Sequence, residues 1–164
     1  MLRIIEALTE PAISQTRTLF REYSMSPEVQ VCLQDFDLEV TSLPGFYGRP
    51  TGRLLLALGD GSANHEAPVG CVGLRKIEEG TCEMKRLYVR PGSRNEGVGR
   101  MLVENLIMEA RTMGYAKMRL DTLPIMREAQ ALYRKCGFVE IPAYSKNPTS
   151  NALCFELGLH WNRT

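Results

Sequence analysis

Residues 82–100 read C-E-M-K-R-L-Y-V-R-P-G-S-R-N-E-G-V-G-R. Gly97 and Gly99 stand where a strand and a Pro91-Gly92 turn give way to an apolar-periodic helix. Glycines at a helix start bare a row of backbone N–H groups beside the positive end of the helix dipole. Such a bend can wrap an anion with main chain alone. Between Lys85 and Arg100 five basic residues meet one acidic residue, a local surplus of four positive charges. These residue types at this spacing point to a large polyanionic ligand. A P-loop would need Lys and Ser/Thr where Val98 and Gly99 stand, and no G-x-G-x-x-G follows the first strand. A plain strand-to-helix turn is the remaining alternative.

Elements must hold that bend in place. The chain has 164 residues, 44% hydrophobic and 24% charged, which suits one soluble domain spanning 1–164 with a full core. Arg3 to Leu8 reads as a strand, and Thr9-Glu10-Pro11 starts a helix that runs to about Ser24, with Thr9 as N-cap. Residues 25–35 are ambiguous. Phe36, Leu38, Val40 and Leu43 suggest a short helix or an irregular arm. Strands at 53–58, 69–74 and 81–90, joined by short loops, predict an antiparallel meander. A helix from Val98 to Met113, a strand at 117–121, a helix carrying Ile125, Ala129, Leu132 and Cys136, and two last strands complete the order. The fold class is α/β, with a mixed, mostly antiparallel sheet. In strand 81–90, Cys82 and Met84 have one parity, Leu87 and Val89 the other. One extra residue, a β-bulge, would return both pairs to the core face and splay the strand from its neighbour. The resulting slot could pair a ligand amide.

Net charge is +1, so no bulk basic field argues for nucleic acid. Residues 1–46 hold three basic and seven acidic side chains, so the acidic front and the basic centre are expected to serve different partners. The five cysteines, at 32, 71, 82, 136 and 154, include no C-x-x-C pair and predict buried free thiols in a reducing compartment. Glu6 and Glu10 interrupt any leader, and the longest apolar run, Leu54 to Leu58, cannot span a bilayer, so a cytoplasmic protein away from membranes is expected. His65 and His160 lack metal-ligand spacing.

Two segments together resemble the GNAT superfamily of acyl-CoA-dependent N-acetyltransferases. Arg94-Asn95-Glu96-Gly97-Val98-Gly99 is similar to that family's Q/R-x-x-G-x-G/A pyrophosphate loop, and Leu132-Tyr133-Arg134-Lys135-Cys136-Gly137-Phe138 to its L-Y-x-x-x-G-F segment, with Ala129 three residues before. The resemblance implies acetyl-CoA as co-substrate and an amine acceptor. It implies pyrophosphate binding by backbone N–H groups from Asn95 to Arg100, and pantetheine pairing along Leu87, Tyr88 and Val89. Arg94 and Arg100 would add charge near the phosphates, and Lys135 could reach the adenosine end; the alternative for each is a solvated cation. Many relatives carry Asn where this chain has Met126, so pantetheine contact there would rest on backbone, the Met126 side chain only packing.

By the same resemblance Glu83, eleven residues before Arg94, is the candidate general base and Tyr133 the candidate general acid. The rival roles are a strand-surface carboxylate and a packing aromatic. Leu87 N–H would meet the oxyanion. Phe20, Tyr23, Phe36, Tyr47 and Tyr144 are possible acceptor-site walls, Phe20 more readily as core. Glu22, Asp35 and Asp37 would steer a cationic acceptor. A non-catalytic acyl-CoA sensor on the same fold is the second reading, and a general phosphate-binding module the third. Terminal strands could pair two copies into a homodimer.

Overall fold

The computed structural model describes residues 1–29, 35–144 and 151–160, so Cys32 and part of the ambiguous 25–35 segment lie outside the described residues. Seven strands form one sheet in the order β1-β2-β3-β4-β5-β7-β6. They are β1 (Arg3–Glu6), β2 (Arg53–Asp60), β3 (Glu66–Glu78), β4 (Thr81–Val89), β5 (Lys117–Thr122), β6 (Val139–Ile141) and β7 (Leu153–Gly158). Among the described residues only the β4–β5 pair is parallel. Four α-helices among the described residues accompany the sheet: α1 (Glu10–Ser24), α2 (Phe36–Thr41), α3 (Val98–Thr112) and α4 (Arg127–Lys135).

Alternation along the strands sorts side chains into two cores. Leu55, Val72, Leu74, Cys82, Met84 and Met118 meet α3 and Tyr133 on one face. Leu54, Leu56, Leu58, Cys71 and Tyr88 meet α1 and α2 on the other. Helix α1 starts as its sequence dictates: Thr9 accepts from Ala12 N at 3.4 Å, and proline occupies the first turn. Two apolar expectations shift. Ile125 is 68% exposed because α4 begins only at Arg127, and Leu38 is exposed because α2 is a six-residue helix burying Phe36 and Val40.

The bulge falls where side-chain parity breaks. Cys71 opposes Tyr88 and Gly73 opposes Lys85, so Arg86 and Leu87 together face Val72 alone. Arg86 takes φ +61°, a left-handed conformation rare in residues other than glycine. Cys82, Met84, Leu87 and Val89 therefore all reach the α3 core. Beside the bulge, β4 pairs with β5 only from Thr81 to Glu83, opposite Lys117 to Arg119. Beyond that point the strands part.

Candidate active site

The gap between β4 and β5 opens into a cleft of about 1010 Å³ between the β4 edge and the starts of α3 and α4. Leu87, Tyr88, Val89, Arg94, Asn95, Gly97, Val98, Gly99 and Arg100 line one side. Met126, Ala129, Tyr133 and Lys135 line the other. Of the predicted cofactor residues only Glu96 is not among the lining groups; it is exposed.

The bend is built by left-handed residues. Asn95 has φ +64° and Gly97 φ +82°. Gly97 is the N-cap of α3, and no side chain caps that helix. The N–H groups of Val98, Gly99 and Arg100 thus begin the helix without intrahelical acceptors. That is a 15-residue helix aiming its positive end into the cleft. A Cβ on Gly97 would meet nothing within 4 Å, so glycine is needed for its φ and not for space.

The charge surplus around the bend is largely cancelled from elsewhere. Arg90 is held bidentately by Glu22 at 2.6 and 3.0 Å, and Arg86 by Glu39 at 2.8 and 3.1 Å. Hydrogen bonding from Arg90 draws the Glu22 carboxyl below its ordinary range. Glu22 and Glu39 of the acidic front thus neutralise Arg90 and Arg86 of the basic centre, which corrects the expectation of separate partners for those residues: α1 and α2 pack against the basic strand. Glu22 is no longer a free charge for steering an acceptor, while Asp35 and Asp37 stay exposed. Arg100 pairs with Glu104 at 2.8 Å. Arg94 donates to the Val89 carbonyl at 3.0 Å, and Lys135 has no carboxylate partner among the described residues. These two cations both line the cleft.

The proposed acid and base are both buried, on opposite faces of the sheet. Tyr133 is buried, its ring 6.0 Å from Phe138 and 6.2 Å from Phe155. Burial pushes its phenol well above the ordinary value. Its hydroxyl makes no hydrogen bond among the described residues and is not sealed from the cleft. Met126 is the N-cap residue of α4, and its sulfur accepts from Thr122 Oγ1 at 3.5 Å, which fits a packing role.

Glu83 lies on the α1–α2 face of the sheet, with its side chain only 4% exposed. Arg75 Nε donates to Oε1 at 2.8 Å and Tyr144 Oη to Oε2 at 2.6 Å. Lys85 Nζ sits 3.8 Å from Glu83 Oε1 and 3.7 Å from Asp121 Oδ1. Asp121, at the end of β5, lines the cleft, whereas Glu83 does not. Sequence reasoning missed Asp121, although β5 alternates Met118, Leu120 and Thr122 inward and leaves Asp121 on the opposite parity beside the gap. Of the suggested acceptor walls, Tyr23 lines the cleft, Tyr144 caps Glu83, and Phe20, Phe36 and Tyr47 are buried in the α1–α2 core. No cluster of metal-ligating side chains occurs among the described residues.

The cleft thus runs between an uncapped helix start and a buried phenol where the sheet parts. Known proteins agree on the class. The acetyltransferase (GNAT) family model matches residues 15–138. An uncharacterised N-acetyltransferase of Schizosaccharomyces pombe is 35% identical over 142 residues, covering 86% of this chain and 85% of the relative. A GNAT-family acetyltransferase of Staphylococcus aureus superposes with a TM-score of 0.77 at 21% identity, covering 98% of this chain and all of that one. The PaiA N-acetyltransferase of Thermoplasma acidophilum, solved in complex with coenzyme A, superposes with a TM-score of 0.75 at 16% identity, over 96% and 99% of the two chains. The chain belongs to the GNAT acetyltransferase family and is an N-acetyltransferase by that membership. No helix among the described residues is long and apolar enough to cross a membrane.

Proposed function

We propose that this protein transfers acetyl from acetyl-CoA to a primary amine by direct attack in a ternary complex. The observation that carries the proposal is the cleft itself, lined by Gly97–Arg100, by the parted β4 edge and by Tyr133. Backbone N–H groups of the bend bind the pyrophosphate, with Arg94 and Lys135 beside them. Arg94 must release the Val89 carbonyl for the pantetheine amide to pair there. The Leu87 N–H meets the carbonyl oxygen as negative charge develops.

The amine nitrogen bonds to the thioester carbon, the carbon–sulfur bond breaks, and the thiolate takes a proton from Tyr133. Two protons leave the ammonium: the first goes to Glu83 before attack, and the second, lost once the nitrogen is bonded to carbon, restores the Tyr133 phenol. An acceptor ammonium replacing the Tyr144 hydroxyl would donate to Oε2 from the same direction. A second reading gives the first proton to Asp121, because that carboxylate lines the cleft.

A panel of primary amines with acetyl-CoA, followed by release of free CoA thiol, tests the function. Turnover with at least one amine is expected. Binding of acetyl-CoA with no turnover across the panel would favour the sensor reading instead.

The bend gives a separate expectation. Gly97→Ala forces a side chain into the left-handed region at a cost of about 1–2 kcal/mol. That should raise the KM for acetyl-CoA by roughly fivefold to thirtyfold with kcat little changed. An unaltered KM in steady-state kinetics would detach the bend from cofactor binding.

A further inference from the structure

The bulge is held from the α1–α2 side of the sheet, where Arg86 and Tyr23 also border the cleft. We propose that Arg86 and Glu39 are positioning residues, whose ion pair keeps the extra residue of β4 in its left-handed shape and so aims the Leu87 peptide into the cleft. This rests on the acyl-transfer reading above.

Four observations converge on Arg86. Its φ is +61°, a conformation that persists in a non-glycine residue only where surroundings over-determine it. Its side chain is 9% exposed, and its guanidinium forks onto both oxygens of Glu39, itself 11% exposed, on α2. Aromatic rings flank the guanidinium, Phe36 at 5.2 Å and Tyr23 at 5.9 Å. Its carbonyl accepts the Cys71 thiol at 3.6 Å. The side chain therefore cannot turn without turning the backbone at 86. Relaxation of residue 86 into the extended region would let β4 pair regularly with β3, and a shift of one residue sends every following side chain and peptide to the opposite face. Leu87 is the next residue, and it lines the cleft. A planar, bidentate fork fixes orientation as well as distance, which a lysine could not do.

The pair can be removed without stranding a charge. In R86M/E39L, apolar groups of similar volume fill the same space, a replacement that buried ion pairs commonly tolerate. The variant should keep its acetyl-CoA dissociation constant within about threefold in calorimetry, lose at least about tenfold in kcat, and shift the Leu87 amide resonance in ¹H–¹⁵N spectra of the free protein. Glu39→Asp is the second variant: it keeps both charges and shortens the strut by one methylene. It should move the same resonance and lower kcat by roughly fivefold. A folded R86M/E39L or E39D protein with wild-type kcat and an unmoved Leu87 amide overturns the inference. Because the amide readout needs no turnover, it decides the matter even if the wild-type protein acetylates no amine, an outcome that would sink only the acyl-transfer reading.

Discussion

Glu83→Gln should lower kcat at pH 7 by up to about three orders of magnitude. The ceiling comes from the acceptor: an alkylammonium with a reference pKa of ~10.4 lies ~3.4 units above neutrality, so freeing its lone pair costs about 4.6 kcal/mol. Glutamine keeps the shape of the side chain and an oxygen for the Tyr144 hydroxyl, but it accepts no proton. Arg75, whose side chain is 35% exposed, can turn its freed charge to water, so the fold should survive. The pH profile separates the base from a structural effect. Without a base only free amine reacts, and its fraction rises about tenfold per pH unit up to ~10.4. The variant's kcat/KM should climb with that slope while the wild type climbs less, closing the gap at high pH. Asp121→Asn is the companion measurement, with an expected loss below about tenfold. The reverse ranking would move the base to Asp121, and wild-type kcat across the pH range in E83Q would remove Glu83 from the mechanism.

These side chains differ in how far the sequence alone could place them. The bulge was legible because alternation is strict: Cys82 and Met84 against Leu87 and Val89 admit one extra residue and little else. The glycine bend was legible because φ > 0 and bared N–H groups are local properties of local residues. Strand and helix order followed from periodicity, save that Ile125 and Leu38 matched a helical stripe that the short helices do not bury. What stayed hidden depends on contacts distant in the chain. Arg86 meets Glu39 across 47 residues and Tyr144 meets Glu83 across 61. No local pattern encodes such pairings, so the acidic front read as a field for ligands although two of its carboxylates, Glu22 and Glu39, are counter-charges to Arg90 and Arg86. Asp121 lies between these cases. Its parity was readable, but its place at the gap required knowing that β4 and β5 part after Glu83.

Tyr133→Phe is expected to cost less than the loss of the base, and the difference is itself informative. A thiol leaving group has a pKa of ~8.5, so protonating its thiolate at pH 7 returns about 2 kcal/mol, or roughly thirtyfold in kcat. The variant keeps the ring contacts with Phe138 and Phe155, and its hydroxyl has no hydrogen bond among the described residues to lose, so stability and the KM for acetyl-CoA should stay within about twofold. Burial raises the phenol's pKa. Raising it disfavours phenolate, so the donor stays protonated as pH rises past neutrality, and no fall in wild-type kcat below pH ~10 should trace to Tyr133. The ratio of wild-type to variant kcat should instead shrink between pH 7 and ~8.5, as the departing thiolate becomes stable without a proton. Stopped-time assays of thiol release across that window read the ratio directly. A loss that stays constant with pH would assign Tyr133 to cofactor alignment, and an unchanged kcat would leave its ring a packing role alone.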